Sequence, residues 1–199
     1  TDTAVRDYCE SVRIFSDIAS VFTINISCPN AFGGQPFHHA EDLEDLLRAL
    51  DKLRGKLRAE SGDDKSGTQP VFLKISPDLS DAQVEEILKV CDAHFVDGII
   101  VSNLRKKKVA LDFHLSEREN IPEHGGLSGM YLQPFADHML KFIATKVKKG
   151  ECRKYTLIGL GGIFSAEDAY RKIRLGASLV QMITGMIFEG PQVIGQINE

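Results

Sequence analysis

Short apolar segments alternate with amphipathic helices along the chain, and this order restricts the fold more than any other feature. The pattern predicts strands at residues 21–27, 70–75, 98–102, 155–160 and 177–182. It predicts helices at residues 4–19, 40–59 and 134–148, and two more that begin after Ser80 and Ser165. Strands that alternate with helices are typical of a parallel sheet covered by helices. We therefore predict an α/β fold.

Local signals support three of these helices. Ser80 and Gln83 form a capping box, and Ser165 with Asp168 caps a helix that ends near Gly176. The helix after Ser80 is expected to bury Val84, Ile87, Leu88 and Cys91. The helix at residues 40–59 repeats leucine at steps of three and four, at Leu43, Leu46, Leu47, Leu50, Leu53 and Leu57.

Two architectures have this order of elements, an open doubly wound sheet and a (β/α)8 TIM barrel. Within residues 22–27 every second residue is polar, namely Thr23, Asn25 and Ser27. Because a strand between two helix layers is apolar on both faces, the polar face favours the interior of a barrel. A complete barrel needs about 250 residues and eight strands. The sequence therefore predicts a single domain over residues 1–199 that forms an incomplete TIM barrel.

Composition and charge disfavour several classes of function. Lysine and arginine total 24 against 28 aspartates and glutamates, so the net charge of −4 offers no basic excess for nucleic acid. The apolar runs are far shorter than the roughly 18 residues of a membrane span. The first residues have neither an initiating methionine nor the pattern of a secretory leader. We expect no leader here, and residue 1 need not be the natural start.

The cysteines and histidines do not suggest a metal site. The cysteines contain no C-x-x-C pair, which disfavours zinc, an iron–sulfur cluster and a disulfide scaffold, and indicates a reducing, intracellular compartment. Side chains of the adjacent His38 and His39 do not easily converge on one ion. We therefore expect no bound metal.

The segment NISCPN at residues 25–30 ends the first predicted strand, where α/β enzymes place catalytic groups. The amides of Asn25 and Asn30 both donate and accept hydrogen bonds, which suits a ligand with alternating N–H and C=O groups. The alternative is that Asn30 shapes the turn after Pro29 and that Cys28 is a small buried apolar residue.

Lys74 and a glycine-rich turn are further candidates. Lys74 shares the parity of Phe72, which directs it inward, where it would neutralise an anionic ligand. The alternative is a solvated lysine at a strand end. The segment GLGG at residues 159–162 lies between a strand and a capped helix, so its N–H groups are placed to bind phosphate. The same glycines also fit a tight turn. Residues 103–133 lack a strong period, and a loop of that length is usually functional.

Six segments resemble the dihydroorotate dehydrogenase family in order and spacing. They are NISCPN at residues 25–30, LKISPDL at 73–79, DGIIVSN at 97–103, GGLSG at 125–129, IGLGG at 158–162 and IRLGASLVQ at 173–181. The resemblance covers essentially the whole chain and is closest to the quinone-linked class 2 enzymes, as in DYCESVR at residues 7–13. It implies strands four to eight of an FMN-binding TIM barrel. Strands one to three and the N-terminal helices that bind membrane and quinone are then missing from the chain.

The resemblance implies FMN-dependent oxidation of dihydroorotate to orotate in pyrimidine (UMP) biosynthesis. This reaction needs a base for one proton and the flavin N5 as hydride acceptor. Cys28 matches the base of the family, and Asn25, Asn30 and Asn103 match its substrate amides. The positions that match flavin contacts are Asn25, Lys74, Ser102, Gly129, Gly161, Gly162, Ile183 and Thr184. A positive charge at Lys74 favours the anionic reduced flavin.

The chain departs from the family pattern at several of these positions. Cys28 stands where class 2 enzymes usually carry serine, whereas cysteine is the usual base of the soluble class 1 enzymes. Ala31 and Leu104 replace hydroxyl residues near the substrate, and Ile183 replaces a tyrosine. The motifs thus favour quinone as electron acceptor and a membrane-associated enzyme, while Cys28 leaves fumarate and NAD open.

Two other functions fit the same residues. The chain is then either a non-catalytic half-barrel, as a fragment or a partner subunit, or another FMN barrel reductase that acts on a pyrimidine. The retained Cys28, Lys74 and glycine turn favour the dehydrogenase.

Overall fold

A computed structural model describes residues 2–28, 36–61, 67–106 and 125–199. The strands are β1 (Phe22–Asn25), β2 (Val71–Ile75), β3 (Gly98–Val101), β4 (Thr156–Leu160) and β5 (Leu179–Gln181). The helices are α1 (Asp2–Phe15), α2 (Ala40–Ser61), α3 (Asp81–Ala93), α4 (Gln133–Lys149), α5 (Ala166–Arg174), α6 (Thr184–Glu189) and α7 (Gln192–Asn198). Short 3-10 helices span Pro36–His38 and Gly129–Leu132.

The strands form one parallel sheet in the order β1-β2-β3-β4-β5, and each crossover between neighbouring strands contains a helix. The register places Asn25 beside Lys74, Lys74 beside Ile100, and Ile100 beside Ile158. A doubly wound sheet reverses its strand order at a switch point, whereas a TIM barrel does not. The unbroken order therefore confirms the predicted part of a TIM barrel.

The two faces of the sheet differ because alternate side chains point to opposite sides. In β2, Val71, Leu73 and Ile75 are buried against the helices, whereas Phe72 and Lys74 are half-buried on the inner face. The helices contribute many residues to this core, including Leu43, Leu46, Leu47, Leu50, Val84, Ile87, Leu88, Cys91, Met139, Leu140 and Ile143. Lys74 thus points inward, as its parity predicted.

Both predicted helix caps are confirmed. Ser80 and Gln83 form the capping box of α3, and the Ser165 side chain accepts a hydrogen bond from the Asp168 backbone N–H at the start of α5. The first helix and the first strand are shorter than predicted, since α1 ends at Phe15 and β1 at Asn25. The pattern missed α6 and α7, because helices of six and seven residues are too short to show a reliable period. None of the described helices is long and apolar enough to cross a membrane.

The last strand and the helix after it expose a large apolar surface. Around β5, which pairs on one side only within the described residues, the side chains of Ile183, Ile187 and Phe188 are 67%, 70% and 76% exposed. Strand β1 is the other edge of the described sheet. Closing a barrel pairs both edges and covers such side chains, whereas open apolar edges promote association.

We predict that the 199 residues expressed by themselves self-associate and bind an apolar dye such as ANS. Replacing Ile187 and Phe188 with glutamine should reduce both effects. Phe95→Gln is the matched control, because Phe95 is 64% exposed but precedes β3, at the opposite end of the strands. Sedimentation and dye fluorescence measure the outcome. A monodisperse, cooperatively melting monomer that binds no dye would contradict the prediction.

Candidate active site

Two predicted amides meet at the carboxyl ends of β1 and β3. Asn103 Nδ2 lies 3.4 Å from Asn25 Oδ1 and donates to the Ser27 carbonyl and to Ser27 Oγ at 2.9 Å each. Ser27 Oγ lies 3.0 Å from Asn25 Oδ1 and 3.1 Å from the Lys74 carbonyl. The two strands flank β2, so this network joins three neighbouring strand ends.

Ser27 is the centre of this network, and sequence reasoning gave it no functional role. It is fully buried, and its backbone N–H also approaches Asn25 Oδ1 at 3.3 Å. Asn25 Oδ1 and Asn103 Nδ2 are therefore engaged inside the protein. Among the described residues this leaves Asn25 Nδ2 as a donor and Asn103 Oδ1 as an acceptor for a ligand.

Lys74 and Cys28 lie close enough to interact electrostatically. Burial lowers the pKa of Lys74, and the negative charge of an ionised Cys28 partly offsets that shift. Lys74 forms no salt bridge with a carboxylate of the described residues. A half-buried ammonium without a carboxylate partner is a suitable site for an anionic ligand.

Tyr8 of α1 supports the same corner of the site. Its hydroxyl donates to the Asn25 carbonyl at 2.7 Å, and its ring meets Phe37 edge-on with the centroids 5.7 Å apart. Burial raises the pKa of Tyr8, and Cys28 raises it further. The phenol therefore stays protonated and holds the end of β1 in place.

A cavity of about 690 Å³ opens beside Lys74 and Asn103, at the carboxyl ends of β4 and β5. Its volume lies in the usual range for small-molecule sites. The predicted residues that line it are Lys74, Asn103, Gly129, Gly161, Gly162, Ile183 and Thr184. Apolar side chains complete the wall, including Leu104, Leu132, Leu160, Val180, Met182 and Ile194.

The glycines on this wall are required by the backbone and by close contacts. Gly161 and Gly162 have φ values of +104° and +70°, which other residues rarely adopt. A Cβ on Gly162 would lie 2.3 Å from Gln133 Cβ. Across the cavity, Thr184 Oγ1 donates to Ser128 Oγ at 3.0 Å and fixes the start of α6 against the segment before Gly129.

Three predicted site residues lie elsewhere. Asn25 and half-buried Cys28 stand at the end of β1, outside the cavity wall. Ser102 is fully buried, and its backbone N–H donates to the Leu160 carbonyl at 3.2 Å. Asn30 lies outside the described residues, as does Ala31. In the described part of the chain, His, Cys, Asp and Glu form no cluster of three that is suited to a metal.

A comparison with protein families identifies the family of the chain. The model of the family described as dihydroorotate dehydrogenase matches residues 1–199. The chain belongs to the dihydroorotate dehydrogenase family. The resemblance that the six segments indicated is therefore confirmed.

Curated relatives agree with the family and are longer than this chain. "Dihydroorotate dehydrogenase (quinone)" of Christiangramia forsetii is 36% identical over 196 residues, which are 98% of this chain and 53% of that protein. The mitochondrial protein of the same name from Arabidopsis thaliana is 37% identical over 199 residues, 100% of this chain and 41% of its own length. The Brucella ovis protein is 40% identical over 193 residues, 97% of this chain and 50% of its own length. The chain thus spans about half the length of these dihydroorotate dehydrogenases.

Solved structures give the same result for the fold. Dihydroorotate dehydrogenase of Eimeria tenella in complex with ferulenol matches with a TM-score of 0.83 and 28% identity, over 97% of this chain and 52% of that one. Its ligand-free form matches with a TM-score of 0.82. The described sheet is therefore part of the barrel of this family.

We predict that Ser27→Ala destabilises the protein by about 1–3 kcal/mol, the usual cost of leaving buried polar groups without partners. The variant removes the hydroxyl between Asn25, Asn103 and the Lys74 carbonyl. Urea unfolding measures the change. Ser178→Ala is the control, because Ser178 is exposed. Equal stability of the two variants would show that Ser27 is not the centre of the network.

Proposed function

We propose that the protein is an FMN-dependent dihydroorotate dehydrogenase that oxidises dihydroorotate to orotate. The observation that carries the proposal is that the amide network, the glycine-lined cavity and Lys74, which forms no salt bridge with the described residues, lie together at the carboxyl ends of the parallel strands. In TIM barrels the active site lies at the carboxyl ends of the strands. Family membership supports the same reaction.

The cavity fits the parts of FMN. Its apolar wall, with Leu132, Leu160 and Val180, suits a flat ring system, and Lys74 offers a positive charge at one end. Gly161, Gly162, Ile183 and Thr184 lie on the wall and offer backbone N–H groups for the phosphate. Gly129 is close to Thr184, since a Cβ on it would lie 3.4 Å from Thr184 Cγ2. A side chain there would reduce the space for the ring.

The substrate would lie between the cavity and the end of β1. Asn25 Nδ2 and Asn103 Oδ1 supply a donor and an acceptor, and we propose that Asn30 supplies another amide. These groups match a ring whose edge alternates N–H and C=O. Ser102, another predicted flavin contact, is buried and its hydroxyl lies 3.5 Å from the Asn103 carbonyl, so we propose that it acts by holding that residue.

Cys28 is the proposed base. Its thiolate would take the proton from the substrate carbon beside the carbonyl, and the sulfur would hold that proton until solvent removes it. FMN, when bound, would supply the hydride acceptor for the neighbouring carbon. Lys74 stabilises both negative charges, that of the thiolate and that which the flavin gains on reduction. The substrate thus loses one proton and one hydride to form the carbon–carbon double bond.

We propose a quinone as the final electron acceptor and an association with a membrane. The relatives in C. forsetii, A. thaliana and B. ovis are named as quinone enzymes. The cysteine at position 28 is the feature that points to another acceptor. Reoxidation of the reduced protein by a soluble quinone analogue, by fumarate and by NAD distinguishes the three.

We predict that Lys74→Ala weakens flavin binding and lowers the reduction potential of the bound flavin. Removing the positive charge disfavours the negative charge that reduction adds. Lys74→Arg should retain most of both properties, and Lys89→Ala, at an exposed position of α3, should change neither. Flavin content after gel filtration and a dye-coupled potential measurement give the result. Unchanged flavin content and potential in Lys74→Ala would mean that the lysine does not face the flavin.

We predict that Cys28→Ala abolishes flavin reduction by dihydroorotate at neutral pH and leaves orotate binding largely intact. Cys28→Ser should keep partial activity, with the pH profile displaced toward alkaline values. A free thiol has a pKa of about 8.5 and a hydroxyl is a much weaker acid, so the serine variant needs a higher pH. Stopped-flow bleaching of the flavin against pH measures both variants.

Cys152→Ser is the matched control for these variants, because it changes a half-buried thiol that precedes β4, at the end of the strands opposite to Cys28. It should bleach as the unmodified protein does. Bleaching at the unmodified rate in Cys28→Ala would show that another group takes the proton.

A further inference from the structure

The turn after β4 is held from behind by side chains that the proposed chemistry does not use. Gln133 Nε2 donates to the Gly162 carbonyl at 2.6 Å and to Asp168 Oδ1 at 3.0 Å. Asp168 Oδ2 accepts the backbone N–H of Phe164 at 3.0 Å, and Asp168 Oδ1 accepts from Arg171 Nη2. We call Gln133, Asp168 and Arg171 the brace.

The brace fixes the direction of a peptide group in this turn. In a trans peptide the C=O and the following N–H point in opposite directions. Because Gln133 holds the Gly162 carbonyl, the Ile163 N–H points away from Gln133. Among the described residues, the N–H groups of Gly162 and Ile163 donate no hydrogen bond inside the protein. Both residues line the cavity, so these donors are available to a ligand there.

Asp168 stays ionised within the brace. Burial works to raise its pKa, but the Phe164 N–H, Arg171 and Gln133 together outweigh burial and lower it. Arg171 Nε also donates to Asp137 Oδ2 at 3.1 Å, and Asp137 Oδ1 binds the fully buried Lys172 at 2.5 Å. The Asp168 carboxylate is thus linked through Arg171 and Asp137 to Lys172.

The contact between the turn and Gln133 leaves no space for a side chain at residue 162. A Cβ on Gly162 would lie 2.8 Å from Gln133 Cα as well as 2.3 Å from its Cβ. The glycine therefore lets the start of α4 approach the turn closely enough for the Gln133 amide to reach it. The turn after β4 and the brace are therefore joined by both close packing and hydrogen bonds.

We propose that Gln133 and Asp168 are positioning residues for the phosphate of the flavin, because they hold the peptide group between Gly162 and Ile163 so that the Ile163 N–H points toward the cavity. Neither side chain lines the cavity. This inference rests on the proposed function and adds to it the residues that give the site its preference for a phosphorylated flavin.

Asp168→Asn and Gln133→Leu test the proposal by different routes. An asparagine has one acceptor oxygen, so in either orientation it loses the Phe164 N–H or the contacts with Gln133 and Arg171. The Gln133→Leu variant keeps the volume and removes both donors. Glu167→Gln is the matched control, because it removes one charge from the same helical turn at an exposed position.

The measurement is a fluorescence titration of the flavin-free protein with FMN and with riboflavin, which lacks the phosphate. We expect both variants to weaken FMN binding by about tenfold, the effect of losing one charged hydrogen bond. Riboflavin affinity should change by less than about twofold, since the ring contacts remain. The control should bind both flavins as the unmodified protein does. Gln133→Asn, which keeps the amide on a shorter side chain, replaces Gln133→Leu if that variant does not fold.

Two results overturn the proposal separately from the proposed function. If the unmodified protein binds FMN and the variants bind it equally well, the brace does not position the phosphate. If the variants lose FMN and riboflavin affinity equally, the brace is only structural. If the unmodified protein binds neither flavin, the proposed function itself is wrong.

Discussion

The parallel register of the strands is the constraint on which the site depends. Side chains alternate between the two faces, and the face toward the helices must be apolar to be buried. Polar groups are therefore confined to the inner positions, where Asn25 lies beside Lys74 in the register. A shift by one residue would exchange Lys74 with Leu73 or Ile75 and bury an ammonium in the apolar core. The register thus determines which side chains are buried in the core and which polar side chains meet on the inner face.

The carboxyl ends of parallel strands also lie on the same side of the sheet, which brings together residues that are far apart in sequence. Asn103 and Ser27 are 76 residues apart and lie within hydrogen-bond distance. The cavity between Lys74 and Thr184 extends over the ends of β4 and β5. In the proposed function, the amides at the ends of β1 and β3 bind the substrate, and the glycines beside the ends of β4 and β5 bind the flavin. Asp168 then connects the helix cap of α5 to the glycine side.

Sequence reasoning predicted most of what local pattern determines. The strands, the caps at Ser80 and Ser165 and the inward direction of Lys74 follow from period and parity, and the structure confirms them. Asn103 was predicted beside Asn25 only through the family resemblance, and the structure brings Asn103 Nδ2 within 3.4 Å of Asn25 Oδ1. Ser27 was missed as a hydrogen-bonding centre because two of its partners, Lys74 and Asn103, belong to β2 and to the end of β3, and that pairing depends on register. Asp168 was predicted only as part of a cap. Its bonds to Gln133 and Arg171 depend on how α4 and α5 pack.

The central claim is that dihydroorotate reduces a flavin held in this cavity. The most direct test is to load the protein with FMN, remove oxygen, add dihydroorotate and record the flavin absorbance. The account predicts that the yellow band bleaches and that one orotate forms for each flavin reduced. A protein that binds FMN but keeps its yellow band in excess dihydroorotate would contradict it.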